Sequence, residues 1–259
     1  MKNAGNFTAV LRKELAVYFA TPIFYVTGFF FLMLGGYFFY SNILYYNLVS
    51  FQAAQNPMMA EQLNSQLMIF RPLFGVLTIV FLLLLPLITM RLLAEEKRSG
   101  TAELLFTYPL TDWSIISGKF LAALLVYAVF LSFTLGYALI FLIVGRLDWA
   151  SLATSYLGML LFGGACLALG LFTSSLTENQ IIAGVTGFAL LLLFWTIGWQ
   201  QELGSMGWKG IFGALSMSEH YENFSKGVID TRDLVYFLSF IFFFLFLTKR
   251  QLESRRWRA

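Results

Sequence analysis

Hydrophobic residues in this chain gather into long runs separated by short polar stretches, and the runs approach the length of about 20 residues that crosses a hydrocarbon core. Six spans are predicted, at about 22–41, 72–93, 115–144, 151–173, 181–199 and 234–248. The last is short, and Arg232 and Lys249 at its ends extend it by snorkelling. Ahead of the first, 6–20 sets Phe7, Val10, Leu11, Leu15 and Tyr18 at helical spacing opposite Arg12, Lys13 and Glu14, the pattern of a helix lying in the interface. Thr21 and Pro22 read as an N-cap and a first-turn proline. Pro86 predicts a kink in the second span. In the fourth, Gly158, Gly163, Gly164, Ala165, Ala168 and Gly170 supply the small-residue surface expected where helices approach closely in lipid.

The polar stretches are predicted to be loops. Residues 42–71 lie outside the membrane, with a short helix over 57–68. The segment 174–179 is a tight turn. In 200–233, Trp208, Ile211, Phe212 and Leu215 suggest an amphipathic helix on the outer interface. Composition agrees: 59% of residues are hydrophobic and 12% charged, against about 25% charged in soluble domains. The fold class is therefore an all-α polytopic membrane protein, read as a single transmembrane domain over 1–259. Lys2, Arg12, Lys13 and Glu14 precede any long apolar run and no small-residue cleavage site comes after, so the first span is read as uncleaved. Of the 17 lysines and arginines, twelve fall in one set of segments and five in the other. That bias places both termini and the loop 94–112 in the cytoplasm.

Candidate chemistry is sparse. Every ionisable residue fits in a loop or at a span end, whereas ion-coupled carriers keep such residues within their spans. The phosphate-cradling pattern of a P-loop is absent, since Gly118-Lys119 has the wrong spacing and is followed by Phe120, so any ATPase is a separate subunit. His220, beside Glu219 and Glu222, is read as a solvated loop histidine and not a metal ligand. Cys166 is read as a buried inert thiol, and no nucleophile–base set assembles with it. Asn223-Phe224-Ser225 matches a glycosylation triplet of the kind that arises by chance. The basic run 249–258 is a positive anchor at the inner leaflet, with no nucleic-acid partner expected. A neutral interior rich in Phe and Gly suits lipids, hydrophobic molecules or helix packing alike.

The stretch 94–112 changes character in order. A charged cluster, Glu95-Glu96-Lys97-Arg98, leaves the membrane and Gly100 breaks it. A short helix with Leu104, Leu105 and Tyr108 comes next, Pro109 ends it, and Thr111 or Asp112 caps the third span. This predicts a reversing helix held against the inner face. The run Glu95-Glu96-Lys97-Arg98-Ser99-Gly100-Thr101-Ala102-Glu103-Leu104-Leu105, followed by Tyr108-Pro109-Leu110-Thr111-Asp112-Trp113 and Gly118-Lys119, resembles the signature between the second and third spans of ABC type-2 permeases. It is most similar to the gliding-motility-associated permease and related bacterial exporters. The likeness extends to Thr21-Pro22-Ile23, the six-span plan and the length.

The resemblance implies a permease in the bacterial inner membrane that pairs with a second permease, another copy or a homologue, and two cytoplasmic ATPase subunits. ATP and Mg would be held by those subunits, with no cofactor in this chain. It implies a coupling helix within 95–105, including Glu95, Glu96, Lys97, Arg98, Ser99, Gly100, Thr101, Glu103, Leu104 and Leu105. Residues 6–19, with Arg12, Lys13 and Glu14, would be the flanking elbow helix, and 174–179 a second, smaller contact. Periplasmic work would need an additional extracytoplasmic subunit. The competing reading is a structural subunit that anchors a membrane complex.

Overall fold

The computed structural model describes residues 2–55, 64–100, 111–145, 147–199 and 213–256. Among them every regular element is helical. In chain order these are α1 (Lys2–Ala20), α2 (Pro22–Gln55), a π-helical turn (Gln66–Phe70), α3 (Arg71–Thr89), α4 (Arg91–Arg98), α5 (Asp112–Val144), α6 (Trp149–Leu176), α7 (Gln180–Thr196), a 3-10 turn (Ile197–Trp199), α8 (Met217–Ser225) and α9 (Thr231–Arg256). Five stretches are long and apolar enough to cross a membrane: Pro22–Gln55, Gln66–Arg98, Asp112–Ile143, Trp149–Leu176 and Thr231–Ser254. Gln180–Thr196 is apolar but shorter. The chain is an all-α polytopic membrane protein.

Several boundaries differ from the sequence reading, each for a local reason. The first span continues to Gln55, well past residue 41, because nothing between Tyr37 and Gln55 is a glycine or proline. At 1.5 Å per residue its 34 residues run about 50 Å, so one end projects beyond a core of roughly 30 Å. The expected helix over 57–68 falls largely outside the described residues, and its end is the π-helical turn that feeds α3. Thr21 does not cap forward: its hydroxyl donates backward to the Val17 carbonyl at 2.6 Å, while Pro22 does begin α2. Thr111, Asp148 and Asn179 cap α5, α6 and α7, each side chain accepting from a first-turn amide.

The core is built around α6, which packs against α3, α5, α7, α8 and α9. Its glycines make that possible. A Cβ on Gly163 would fall on the Tyr127 ring of α5, and one on Gly170 would fall on the Thr89 hydroxyl of α3. The Tyr127 hydroxyl in turn donates to the Met159 carbonyl of α6 at 2.6 Å. Bulky side chains from the neighbours thus fill the grooves that small residues leave, as lipid-embedded packing requires. Cys166 is buried within this helix.

Candidate functional site: a charged junction of three helices

Pro86 lies inside α3, where it lacks the amide that would bond one turn back, and α3 gives way to α4 at Met90, whose own amide still bonds the Pro86 carbonyl at 2.9 Å. The first amides of a helix that starts at Arg91 call for partners from elsewhere. Ser174, buried in the last turns of α6, supplies one. Its Oγ accepts from Leu93 N at 3.0 Å and Ala94 N at 3.1 Å and donates to the Met90 carbonyl at 3.0 Å. The Lys97 ammonium donates to the Ser175 carbonyl one residue on. The break in the second span is thus clasped by the end of the fourth.

A second clasp is ionic. Lys119 Nζ of α5 lies 2.8 Å from Glu14 Oε1 of α1 and 2.9 Å from Glu96 Oε1 of α4. Lys13 Nζ lies 2.8 Å from the same Glu96 oxygen and 3.7 Å from Glu14. Two ammonium groups and two carboxylates neutralise one another where three helices meet, and the Lys119 side chain is only 1% exposed. Burial, the largest single influence on Lys13, works to lower its pKa, but the hydrogen bonds and charges of Glu96 and Glu14 outweigh it and the pKa is raised. The Tyr18 hydroxyl adds a bond from α1 to the Ile88 carbonyl at 3.3 Å. Gly118 lets α1 sit this close, because its missing side chain accommodates Val10.

The predicted site residues divide in two. Lys13, Glu14 and Glu96 converge in the ionic junction, and Lys97 joins the Ser175 clasp. Arg12, Glu95, Arg98 and Ser99 remain exposed, with the Ser99 hydroxyl returning to the Glu95 carbonyl at 2.9 Å. Gly100 ends the segment at φ +70°, a left-handed conformation suited to glycine. Thr101, Glu103, Leu104 and Leu105 lie outside the described residues. The charged cluster is therefore the last turns of a helix continuing from the span, not a loop that begins at residue 94. Likewise Ser174 and Ser175 lie inside α6, each fully buried, which corrects the turn expected at 174–179 and leaves only its later residues open to a partner.

Lys119, Ser174 and Ser175 were not assigned this role from sequence, yet one signal was available. Ile115, Ile116, Ala122, Ala123, Val126 and Tyr127 are buried at helical spacing, and Lys119 sits in the middle of that stripe. A lysine on a buried face requires an opposing carboxylate. Glu14 holds the matching position in α1, four residues from both Val10 and Tyr18.

At the opposite end of the bundle, His220 is not solvated. It is buried in α8, its Nδ1 2.6 Å from Asp233 Oδ1 and its ring stacked on Tyr236 at 4.0 Å. Asn223 Nδ2 donates to the other Asp233 oxygen at 2.8 Å, so the amide of the glycosylation triplet is engaged internally. The physical reason is Asp233 in the first turn of α9, which offers a buried carboxylate that α8 satisfies twice.

A family model described as ABC-2 family transporter protein matches residues 41–199. The matched stretch is more than half of the chain and contains α3 to α7, with Glu96, Lys119 and Ser174 among its residues. No curated protein matches the chain.

Proposed function

This chain belongs to the ABC-2 transporter family, and from that premise we propose that α4 and the residues just after it seat a cytoplasmic ATPase whose movement drives the spans. It is a multi-pass membrane permease subunit of an ABC transporter, and the family implies pairing with an ABC ATPase subunit. The finer reading is an exporter in a bacterial inner membrane, with both termini cytoplasmic, a second permease copy beside it and ATP with Mg on the partner. One observation supports this reading most. The charged helix Arg91–Arg98 follows directly on α3, which contains Pro86, and is clasped on two sides, to α6 through Ser174 and to α1 and α5 through Lys119. A push on such a segment is transmitted as a rigid-body shift and not absorbed locally.

Arg98 is exposed at the end of α4 and is not part of either clasp, so it addresses the partner. Gly100 is held at φ +70°, an angle that proline cannot adopt. Arg98→Glu combined with Gly100→Pro is expected to abolish co-purification of a P-loop ATPase with the tagged chain from its native membrane. The variant should remain folded, since both clasps lie upstream. Retention of the ATPase by this variant, or its absence from the unmodified chain, would return the protein to the role of a structural anchor.

A further inference from the structure

Beside the junction a cavity of about 240 Å³ opens between the elbow formed by α1 and α2 and the face of α3 and α4. Its lining combines apolar Phe24, Leu87, Val126 and Phe130 with charged side chains. Six charged residues line it: Lys13, Arg91, Lys119, Glu14, Glu95 and Glu96. Four of these neutralise one another within the junction. Arg91 and Glu95 are left, one positive and one negative, and neither has an ion pair among the described residues. Arg91 Nε is buried with no hydrogen-bond partner. The Nε is closed off by the protein itself, so an acceptor entering the cavity meets the half-buried guanidinium through its remaining nitrogens.

The sequence below Arg91 says what kind of molecule brings that acceptor. Ile79, Leu83 and Leu87 are 58%, 55% and 40% exposed. Leu87, Arg91 and Glu95 all line the cavity, and Leu83 and Ile79 lie one and two turns before Leu87 in the apolar span, so the order along the axis is apolar, apolar, apolar, cation, anion. One turn advances about 5.4 Å. A phospholipid has the complementary order, an acyl chain, then a phosphate, then in an ethanolamine lipid an ammonium. The cavity is below the size of whole-ligand pockets, about 300–1,000 Å³, and suits the glycerophosphate end while the acyl chain lies along the open stripe. The geometry points to a resident phospholipid site on this face, with the phosphate on Arg91 and the ammonium of a phosphatidylethanolamine headgroup on Glu95. The site rests on the membrane reading of the helices and not on the ATPase partner, so the two stand or fall separately.

The test is native mass spectrometry of the purified full chain in detergent, titrated with phosphatidylethanolamine, phosphatidylglycerol or inorganic phosphate. Arg91→Gln is expected to lower phosphatidylethanolamine retention about tenfold, the scale of one lost charge-assisted contact. Glu95→Gln should remove the preference over phosphatidylglycerol. Leu87→Trp, which keeps the helix apolar and blocks the stripe, should lower retention of both lipids. Each variant is compared only where its size-exclusion profile and melting temperature match those of the unmodified chain. If Arg91→Gln or Leu87→Trp passes that comparison and retains phosphatidylethanolamine as the unmodified chain does, the site is overturned. It is equally overturned if excess inorganic phosphate displaces the lipid, because the pocket would then be a simple anion site.

Discussion

Lys119 is the residue on which the charged junction turns. One ammonium faces carboxylates from two other helices, and its removal leaves Glu14 and Glu96 buried with Lys13 as their shared counter-charge. Breaking a buried pair from one side costs more than deleting the whole set, because the orphaned charge keeps its desolvation penalty. Lys119→Met is expected to destabilise the protein by roughly 3 kcal/mol, read as a lower melting temperature in detergent. Adding Glu14→Gln and Glu96→Gln should recover most of that loss. At the opposite end, Glu222 has its pKa lowered chiefly by its hydrogen bond with Lys226, helped by Arg71. Its contribution is present above the ordinary value of 4.5 and is lost as pH falls through the lowered one. The side chain is half exposed, so screening keeps the effect below about 1 kcal/mol. Melts of the unmodified chain and Glu222→Gln should differ slightly at neutral pH and coincide in acid.

At the scale of elements, the informative feature is the join between α3 and α4. A helix interrupted in mid-course ordinarily gains freedom at the interruption. Here that freedom is withdrawn by a hydroxyl from another helix, since Ser174 binds two amides and a carbonyl across the gap. Ser174→Ala is expected to cost about 1–2 kcal/mol, comparable with losing a helix cap. The more specific sign is faster hydrogen exchange at Leu93 and Ala94, with exchange in the core of α6 unchanged. If those amides exchange as before, the join is held by α4 packing alone.

The whole molecule is asymmetric between its two ends. One end carries the junction and the broken helix. The other carries the long projecting part of α2 and the α8–α9 corner, where His220 and Asn223 both meet Asp233. From the charge bias we propose that the first end is cytoplasmic. With Cys166→Ser as background, a cysteine at Arg98 should react with a membrane-impermeant thiol reagent only from the cytoplasmic side. A cysteine at Ile229, exposed at the other end, should react only from outside. The reverse pattern would invert the orientation and remove the argument for an ATPase at α4.

Much of this architecture was legible in the sequence, because in lipid the backbone must satisfy itself and an apolar run of sufficient length has few alternatives to helix. The runs located every membrane-length helix, and the small residues of 158–170 marked α6 as the one its neighbours pack against. Gly100 announced where the charged segment ends, whereas Pro86 lies inside α3 and the join with α4 falls four residues later, at Met90. Helix ends were less legible: α2 runs to Gln55 and α4 to Arg98 because polar side chains do not stop a helix that lacks glycine and proline. Which charges meet could not be read at all. Glu14, Glu96 and Lys119 are separated by 82 and 23 positions and become neighbours only when α1 packs against α5 at Gly118. His220 illustrates the same limit, since its solvation depends on whether α9 brings Asp233 beside it. Hydrophobicity is a property of each segment and is written locally, whereas the pairing of buried charges depends on packing between segments distant in the chain, and only the tertiary structure decides it.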